Sequence, residues 1–137
     1  MGCPNRAGES FNDLLGKEFQ YGGRGPERYD CYGLCIEVRR RLGLHTPAHY
    51  ESVTGGACID HRMKEALGEL FFPLEKPEPG CLVTFMLRPP YTTHVGVVLL
   101  DRYRFIHITR QTRVAIERLD IDPWAGKISG FWELRHA

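Results

Sequence analysis

The chain has 137 residues, of which 42% are hydrophobic and 26% charged, and its formal net charge is +1. These values predict a single globular domain over residues 1–137 with a hydrophobic core of its own. Because lysines and arginines are scattered rather than massed, the charge pattern gives no reason to expect nucleic acid or an acidic membrane as a partner. No run approaches the 18 apolar residues of a membrane-spanning helix.

The first ten residues, MGCPNRAGES, lack the apolar core of a signal peptide. Arg6 stands where the myristoylation pattern requires Ser or Thr. We therefore expect the chain to be cytoplasmic when it is synthesised, so that any action outside the cell would need a carrier. The five cysteines are an odd number, which argues against a disulfide framework.

Helical patterns fill the first half of the chain. Ser10 and Asp13 resemble a capping sequence and predict a short helix that ends near Gly16. A loop rich in Gly and Pro follows, and Asp30 is the predicted N-cap of a second helix. The buried face of this helix is predicted from apolar spacing to comprise Cys31, Leu34, Cys35, Val38 and Leu42. A third helix is predicted over about residues 60–70, with Met63, Ala66, Leu67 and Leu70 facing inward.

The second half of the chain has the composition of β-strands. Short segments rich in β-branched and aromatic residues occupy 81–87, 94–100, 103–108, 113–119 and 128–134. Consecutive strands at this spacing predict an antiparallel meander. Helices followed by strands predict an α+β domain, with N-terminal helices packed on an antiparallel sheet.

The segment YDCYGLC contains two cysteines with different predicted roles. Cys31 is the first helical residue after the cap, where the helix dipole favours a thiolate and lowers the pKa of a cysteine. Cys35 lies one turn later among apolar residues and is expected to be an inert core residue. Cys31 is thus the candidate nucleophile, although a structural role is the alternative for any single cysteine at a helix start.

Two histidines accompany this cysteine in the strand region. If the hairpin loop is centred on Leu100 and Asp101, His94 and His107 lie directly opposite each other, with Cβ atoms about 4.5–5.5 Å apart. A thiol needs an imidazole to accept its proton, and the imidazole needs a third group to fix its tautomer. Cys31, His94 and His107 could supply these roles in that order, in a papain-like arrangement of a helix-borne Cys and a sheet-borne His.

Metal binding is the alternative use of these side chains. A site built from both strand histidines and one cysteine is possible, whereas His45 and His49 have ligand spacing that Pro47 interrupts. Because the chain has no C-x-x-C pair, a structural zinc site has little support. We expect no cofactor.

The segments YGGRGPERYDCYGLC, PGCLVTF and HVGVVLLDRYRFIHI together resemble the NlpC-type family of papain-like cysteine peptidases, which are bacterial cell-wall endopeptidases. The resemblance extends from about Gly16 to the C-terminus. It implies that Cys31 is the nucleophile, His94 the general base and His107 the orienting residue. It also implies cleavage of the amide between D-glutamate and the diamino acid of peptidoglycan stem peptides, with backbone N–H groups near Cys31 binding the oxyanion.

Three positions depart from the family pattern. Tyr32 follows the cysteine where Ser is common, Cys81 replaces a frequent Asp, and Phe19 stands at the position of a common Tyr. Tyr32 and Tyr21, which is next to Gly22, are the candidate aromatic substrate-binding residues.

Four arginines of the strand region provide candidates for binding a stem-peptide carboxylate. They are Arg102, Arg104, Arg110 and Arg113. A guanidinium binds a carboxylate bidentately, and we take Arg110 as the candidate. The alternative is that all four are exposed strand residues that keep the sheet edges soluble.

Further details resemble the branch of this family found with phage tail modules. These are GRGP, the aromatic residue after the cysteine, RLGL leading to Pro47 and Tyr50, and the ending GFWELR. The resemblance implies a virion tail or phage-like particle as a location and tail proteins as partners. Two other hypotheses stay open: a tail structural or binding module with little activity, and an acyltransferase or other thiol hydrolase on a related fold.

Overall fold

The computed structural model describes residues 11–47 and 56–135. Two helices come first, α1 (Cys31–Arg41) and α2 (Gly56–Leu70). The strands are β1 (Phe71–Leu74), β2 (Leu82–Phe85), β3 (His94–Val98), β4 (Arg104–Thr109), β5 (Arg113–Arg118) and β6 (Ile128–Leu134). A short 3₁₀ helix, Ala125–Lys127, precedes β6.

The strands form one antiparallel sheet in the order β1-β6-β2-β3-β4-β5, so the predicted α+β class is confirmed. The predicted meander is correct from β2 to β5 but wrong for β6, which lies between β1 and β2. Strand β1 was not predicted. It contains Pro73, which cannot donate to a ladder, and its position at the edge of the sheet accommodates that loss.

The crossover from β5 to β6 explains why the central strands are buried on both faces. One face packs against the helices through residues such as Leu34, Val38 and Val95. On the other face, Trp124 of the crossover packs edge-on against Phe85, with ring centroids 5.4 Å apart. The histidines of β3 and β4 lie beneath this second cover, which the sequence pattern did not indicate.

Helix α1 begins as the sequence predicts. The Asp30 side chain accepts a hydrogen bond from the N–H of Gly33 at 2.6 Å, which caps the helix. A Cβ added to Gly33 would lie 2.1 Å from the carbonyl oxygen of Gly23. The glycine of CYGLC is therefore required for the close approach of α1 to the preceding loop, and this approach fixes the position of Cys31.

The end of α1 shows more than the favourable helix dipole that its arginines suggest. Arg39 is buried, and its guanidinium donates to Thr46 Oγ1 at 2.8 Å and to the carbonyl oxygen of Gly80 at 2.5 Å. It also forms an ion pair with Glu133 of β6 at 3.0 Å. Arg39 thus connects α1 to β6 and to the segment before β2.

Two other helix predictions need correction. Residues 12–16 form hydrogen-bonded turns and not the predicted short helix, while Ser10 lies outside the described residues. Gly16 has φ +85°, a left-handed conformation that a helix does not use. Helix α2 begins at Gly56, before the predicted start, and its predicted inward residue Leu67 is buried.

Candidate active site

A cavity of about 290 Å³ lies between the start of α1, one face of α2 and the start of β3. Of the predicted site residues, it is lined by Cys31, His94, Tyr21, Tyr32 and Arg110. His107 is the exception, because it is fully buried behind His94 on β4. Residues distant in sequence thus meet at a single concave site.

The Cys31 sulfur faces the backbone N–H groups of Val95, Tyr32 and Cys31 itself, which favour the thiolate. Burial nevertheless raises the pKa of Cys31 to about 12, and the neighbouring Asp30 carboxylate contributes to the increase. The predicted lowering of this pKa is therefore wrong, because loss of solvent around a half-buried thiol outweighs the helix N-terminus. The thiol is neutral at rest.

The two histidines make direct contact, although not in the predicted register. Val97 pairs with Ile106 and Val98 with Phe105, a shift of two residues from direct opposition of His94 and His107. A shift of two residues keeps both side chains on the same face of the sheet. Their rings lie diagonally across the strands, with His94 Nε2 2.8 Å from His107 Nδ1. The contact between the two histidines on one face of the sheet was predicted correctly, but the register of β3 and β4 was not.

Both histidines are held neutral by their surroundings. Burial lowers the pKa of His94 to about 3, and the nearby His107 lowers it further. Burial also lowers the pKa of His107, although its contact with Glu117 acts in the opposite direction. The resting site thus holds a neutral thiol and a neutral imidazole pair.

Glu117 of β5 completes the chain of hydrogen bonds and was not identified from the sequence. Its Oε2 lies 2.8 Å from His107 Nε2, and its Oε1 accepts from Trp124 Nε1 at 2.8 Å. Glu117 pairs with Phe105, so it projects from the same face of the sheet as the histidines. The sequence does show a charged residue, Glu117, within a predicted strand. Whether its side chain lies on the same face of the sheet as His107 depends on the register of β4 and β5, which the sequence does not give.

The predicted substrate-binding residues line the cavity. The Tyr32 hydroxyl donates to the carbonyl oxygen of Pro47, and the Arg24 guanidinium lies 5.8 Å from the Tyr32 ring centroid. The Arg110 guanidinium lies over the Phe19 ring, 4.9 Å from its centroid. Phe19, at the position of a departure from the family pattern, therefore forms part of the cavity wall beside Arg110.

The other three candidate arginines are engaged with carboxylates. Arg104 pairs with Asp101 at 2.7 Å. Arg102 pairs with Glu78 at 3.4 Å and Arg113 with Glu18 at 3.3 Å. None of these three lines the cavity in the described part of the chain, which leaves Arg110 as the candidate that does.

Helix α2 supplies a wall that the sequence did not assign to the site. Ile59, Arg62 and Met63 line the cavity together with Ala66 and Leu67. The apolar stripe of α2 predicts a face turned toward the core, yet Met63, Ala66 and Leu67 of this stripe line the cavity. Helical periodicity identifies a buried face but does not distinguish a core from a binding site.

Two other cysteines are buried thiols, and the described residues also bear on the metal hypothesis. Cys35 is fully buried, and burial raises its pKa well above the ordinary value, as expected for an inert thiol. Cys81 is also buried, with its pKa raised to about 11. Within residues 11–47 and 56–135, no group of three or more His, Cys, Asp or Glu side chains is arranged to hold a metal ion. His49 lies outside the described residues.

Within the described ranges, no helix is both long enough and apolar enough to cross a membrane.

A helix-borne cysteine and a sheet-borne histidine at one cavity, with a second histidine buried behind the first, define a papain-like arrangement. The NlpC/P60 family model matches residues 16–133, and the chain belongs to this family. Members of this family are generally cell-wall cysteine peptidases or amidases that act on peptidoglycan. A search of curated proteins gave no match.

Solved structures show the same fold. A Staphylococcus aureus protein described as similar to lipoprotein, NLP/P60 family, matches with a TM-score of 0.63 and 20% identity, over 100% of this chain and 44% of that one. NlpC1 from Trichomonas vaginalis matches with a TM-score of 0.62 and 23% identity, over 93% of this chain and 44% of that one. NlpC2 from the same organism has a TM-score of 0.63 and 24% identity, over 93% and 46%. This chain thus spans less than half the length of each.

Proposed function

We propose that this protein is a thiol-dependent hydrolase of peptidoglycan stem peptides, cleaving the amide between D-glutamate and the diamino acid. The observation that carries the proposal is the cavity shared by Cys31 and His94, with the hydrogen-bonded His107 directly behind His94. Family membership supports the same chemistry. The reaction needs no metal or organic cofactor, because thiol and imidazole supply both nucleophile and base.

In the proposed reaction, the Cys31 thiol gives its proton to His94 as the sulfur attacks the carbonyl carbon. His94 Nε2 is already bonded to His107, which leaves Nδ1 to accept this proton. The C–N bond then breaks, the leaving amine takes the proton from His94, and a thioester remains on Cys31. Water activated by the same imidazole hydrolyses the thioester. The neutral resting pair supports transfer during attack and not a preformed ion pair.

Backbone N–H groups near the thiol are suited to stabilise the oxyanion of this reaction. The N–H of Gly33 is used by the Asp30 cap, whereas those of Cys31, Tyr32 and Val95 face the sulfur. Donors already aimed at the reacting atoms stabilise developing charge without reorganisation.

The polar and aromatic residues of the cavity suit a charged peptide. Arg110 is exposed and its guanidinium is stacked on Phe19, so it can bind a stem-peptide carboxylate while the ring fixes its position. Tyr21 and Tyr32 provide flat surfaces on the same cavity. We propose these three residues as substrate contacts.

The decisive experiment is digestion of purified muropeptides followed by mass spectrometry of the products, with Cys31→Ala and Cys35→Ser compared. Cys31→Ala should abolish turnover, because no other thiol lines the cavity in the described part of the chain. Cys35→Ser should retain the chemistry and lose stability, because a hydroxyl replaces a fully buried thiol. Equal loss of activity in two folded variants would overturn the assignment.

The second candidate is a tail structural or binding module with the same fold and little activity. The raised pKa of the Cys31 thiol favours it, because a neutral thiol is a weaker nucleophile than a thiolate. We propose a phage tail or phage-like particle as the location for either function, with tail proteins as partners. Detection of the chain in purified particles by mass spectrometry tests the location, and the muropeptide digest distinguishes the two functions.

A further inference from the structure

Four side chains form a continuous hydrogen-bonded series behind the cavity. His94 Nε2 meets His107 Nδ1, His107 Nε2 meets Glu117 Oε2, and Glu117 Oε1 meets Trp124 Nε1, each at 2.8 Å. His94 and His107 are buried, whereas 31% of the Glu117 side chain reaches solvent. The last two members lie beyond the three residues of the proposed reaction.

The donors and acceptors in this series can be assigned from one end. The indole N–H of Trp124 only donates, and an ionised carboxylate only accepts, so Glu117 accepts from both neighbours. His107 must then carry its proton on Nε2, which makes its Nδ1 an acceptor. His94 must in turn donate from Nε2, and its unprotonated nitrogen is Nδ1.

We infer that Glu117 is a positioning residue that fixes the tautomers of both histidines and so keeps His94 Nδ1 free to accept the thiol proton. The catalytic consequence of this inference rests on the proposed function. The assignment of the tautomers rests only on the hydrogen bonds. Glu117 touches neither the thiol nor the cavity lining and acts only through His107.

Trp124 makes this inference testable with a nearly isosteric change. In Glu117→Gln, the amide must turn its oxygen toward the indole N–H, because an N–H group cannot accept from another N–H. Its NH₂ then faces His107 Nε2, which has to become an acceptor. The proton of His107 moves to Nδ1, the proton of His94 moves from Nε2 to Nδ1, and the base is lost. In Glu117→Gln with Trp124→Phe, the indole donor is gone, so the amide can turn its oxygen back toward His107.

The first experiment measures histidine tautomers by ¹⁵N NMR on ¹⁵N-histidine-labelled protein at neutral pH, without substrate. The wild type should show both rings protonated on Nε2, Glu117→Gln should move both protons to Nδ1, and the double variant should restore the wild-type pattern. A wild-type spectrum with His94 protonated on Nδ1, or identical tautomers in wild type and Glu117→Gln, would overturn the inference. The wild-type measurement decides the case even if a variant does not fold.

The second experiment measures kcat and KM on muropeptides for the same proteins. Glu117→Gln should lower kcat by about 10²- to 10⁴-fold, the usual contribution of a general base, with KM nearly unchanged. Adding Trp124→Phe should recover at least tenfold of this loss, whereas two merely structural lesions would add. Glu69→Gln is the matched control, because Glu69 is exposed on α2. If Glu117→Gln shows the expected change of tautomers but the wild type has no activity on muropeptides, the proposed function is refuted and the tautomer assignment still holds.

Discussion

The neutral state of the buried histidines predicts a specific loss of stability in mild acid. His94 is 3% exposed, and burial lowers its pKa from 6.5 to about 3. Below pH 6.5 the unfolded chain therefore binds a proton at His94 that the folded protein excludes until about pH 3. Stability is present above this window and is lost as the pH falls through it. The free energy of unfolding should decrease by about 2 kcal/mol between about pH 7 and about pH 5 from His94 alone.

The lower limit of about pH 5 separates the histidines from the carboxylates. Residues such as Asp13 and Asp101 also have lowered pKa values in the folded protein, but their unfolded pKa is 3.8, so their effect falls below this range. The pKa of His107 is lowered in the same direction as that of His94, so its contribution adds to the loss.

Urea unfolding at the two pH values, followed by tryptophan fluorescence, measures this effect. His94→Gln removes the titrating group and should lose about 2 kcal/mol less than the wild type between the two pH values. Comparing differences between pH values removes any general change in stability caused by the substitution. His61→Gln, at an exposed position of α2, is the control and should follow the wild type. A wild-type free energy that is unchanged at about pH 5 would mean that His94 is protonated in the fold, and the neutral resting pair would be wrong.

Three further predictions concern the thiols and the packing of α1. Iodoacetamide at about pH 7 should modify the exposed Cys58 before Cys31, because burial raises the pKa of the Cys31 thiol. Peptide mass mapping measures the order of modification. If Cys31 were modified first, the low pKa predicted from the helix start would be correct. Gly33→Ala should lower the free energy of unfolding by about 1–3 kcal/mol in thermal unfolding, because its Cβ would meet a backbone carbonyl oxygen at 2.1 Å. Gly68→Ala, whose Cβ would have no atom within 4 Å, is the control and should be neutral or stabilising. Equal effects of the two substitutions would exclude the close approach of α1 to the loop at Gly23. Arg39→Met should lower the free energy of unfolding in urea by about 3 kcal/mol, because it leaves buried oxygen acceptors without a donor. A decrease of less than about 1 kcal/mol would contradict a structural role for this arginine.

Local sequence signals identified several parts of the site. The start of α1 follows from Asp30, because a carboxylate before an apolar helical pattern caps the first turn, and this placed Cys31 at the helix N-terminus. The segments around His94 and His107 were identified as strands from their β-branched and aromatic residues. An even spacing across a hairpin then placed both rings on one face, and an error of two residues in the register did not change that face.

The register itself was decided by the turn between β3 and β4. Arg102 adopts φ +67°, a left-handed conformation that no glycine or asparagine signals in this sequence. The N–H of Leu99 bonds to the carbonyl oxygen of Arg104 at 2.8 Å, which closes the hairpin two residues from the predicted register. The Asp101 side chain stabilises this exposed turn, because its Oδ1 accepts from the backbone N–H groups of Tyr103 and Arg104 at 2.9 and 3.1 Å. An aspartate favours a turn but does not specify which of the following residues adopts the left-handed conformation, so it does not fix the register.

The position of β6, the role of Glu117 and the pKa of Cys31 were decided by the tertiary structure. Strand β6 pairs with β1 and β2 because the crossover carrying Trp124 returns the chain across the sheet, and this same crossover covers the histidines and holds Glu117. The helix start that favours a thiolate is a local feature, but the pKa of Cys31 depends on how much solvent the whole fold removes from the sulfur. Sequence therefore determined which residues could react, whereas long-range burial determined their protonation states and the group that orients them.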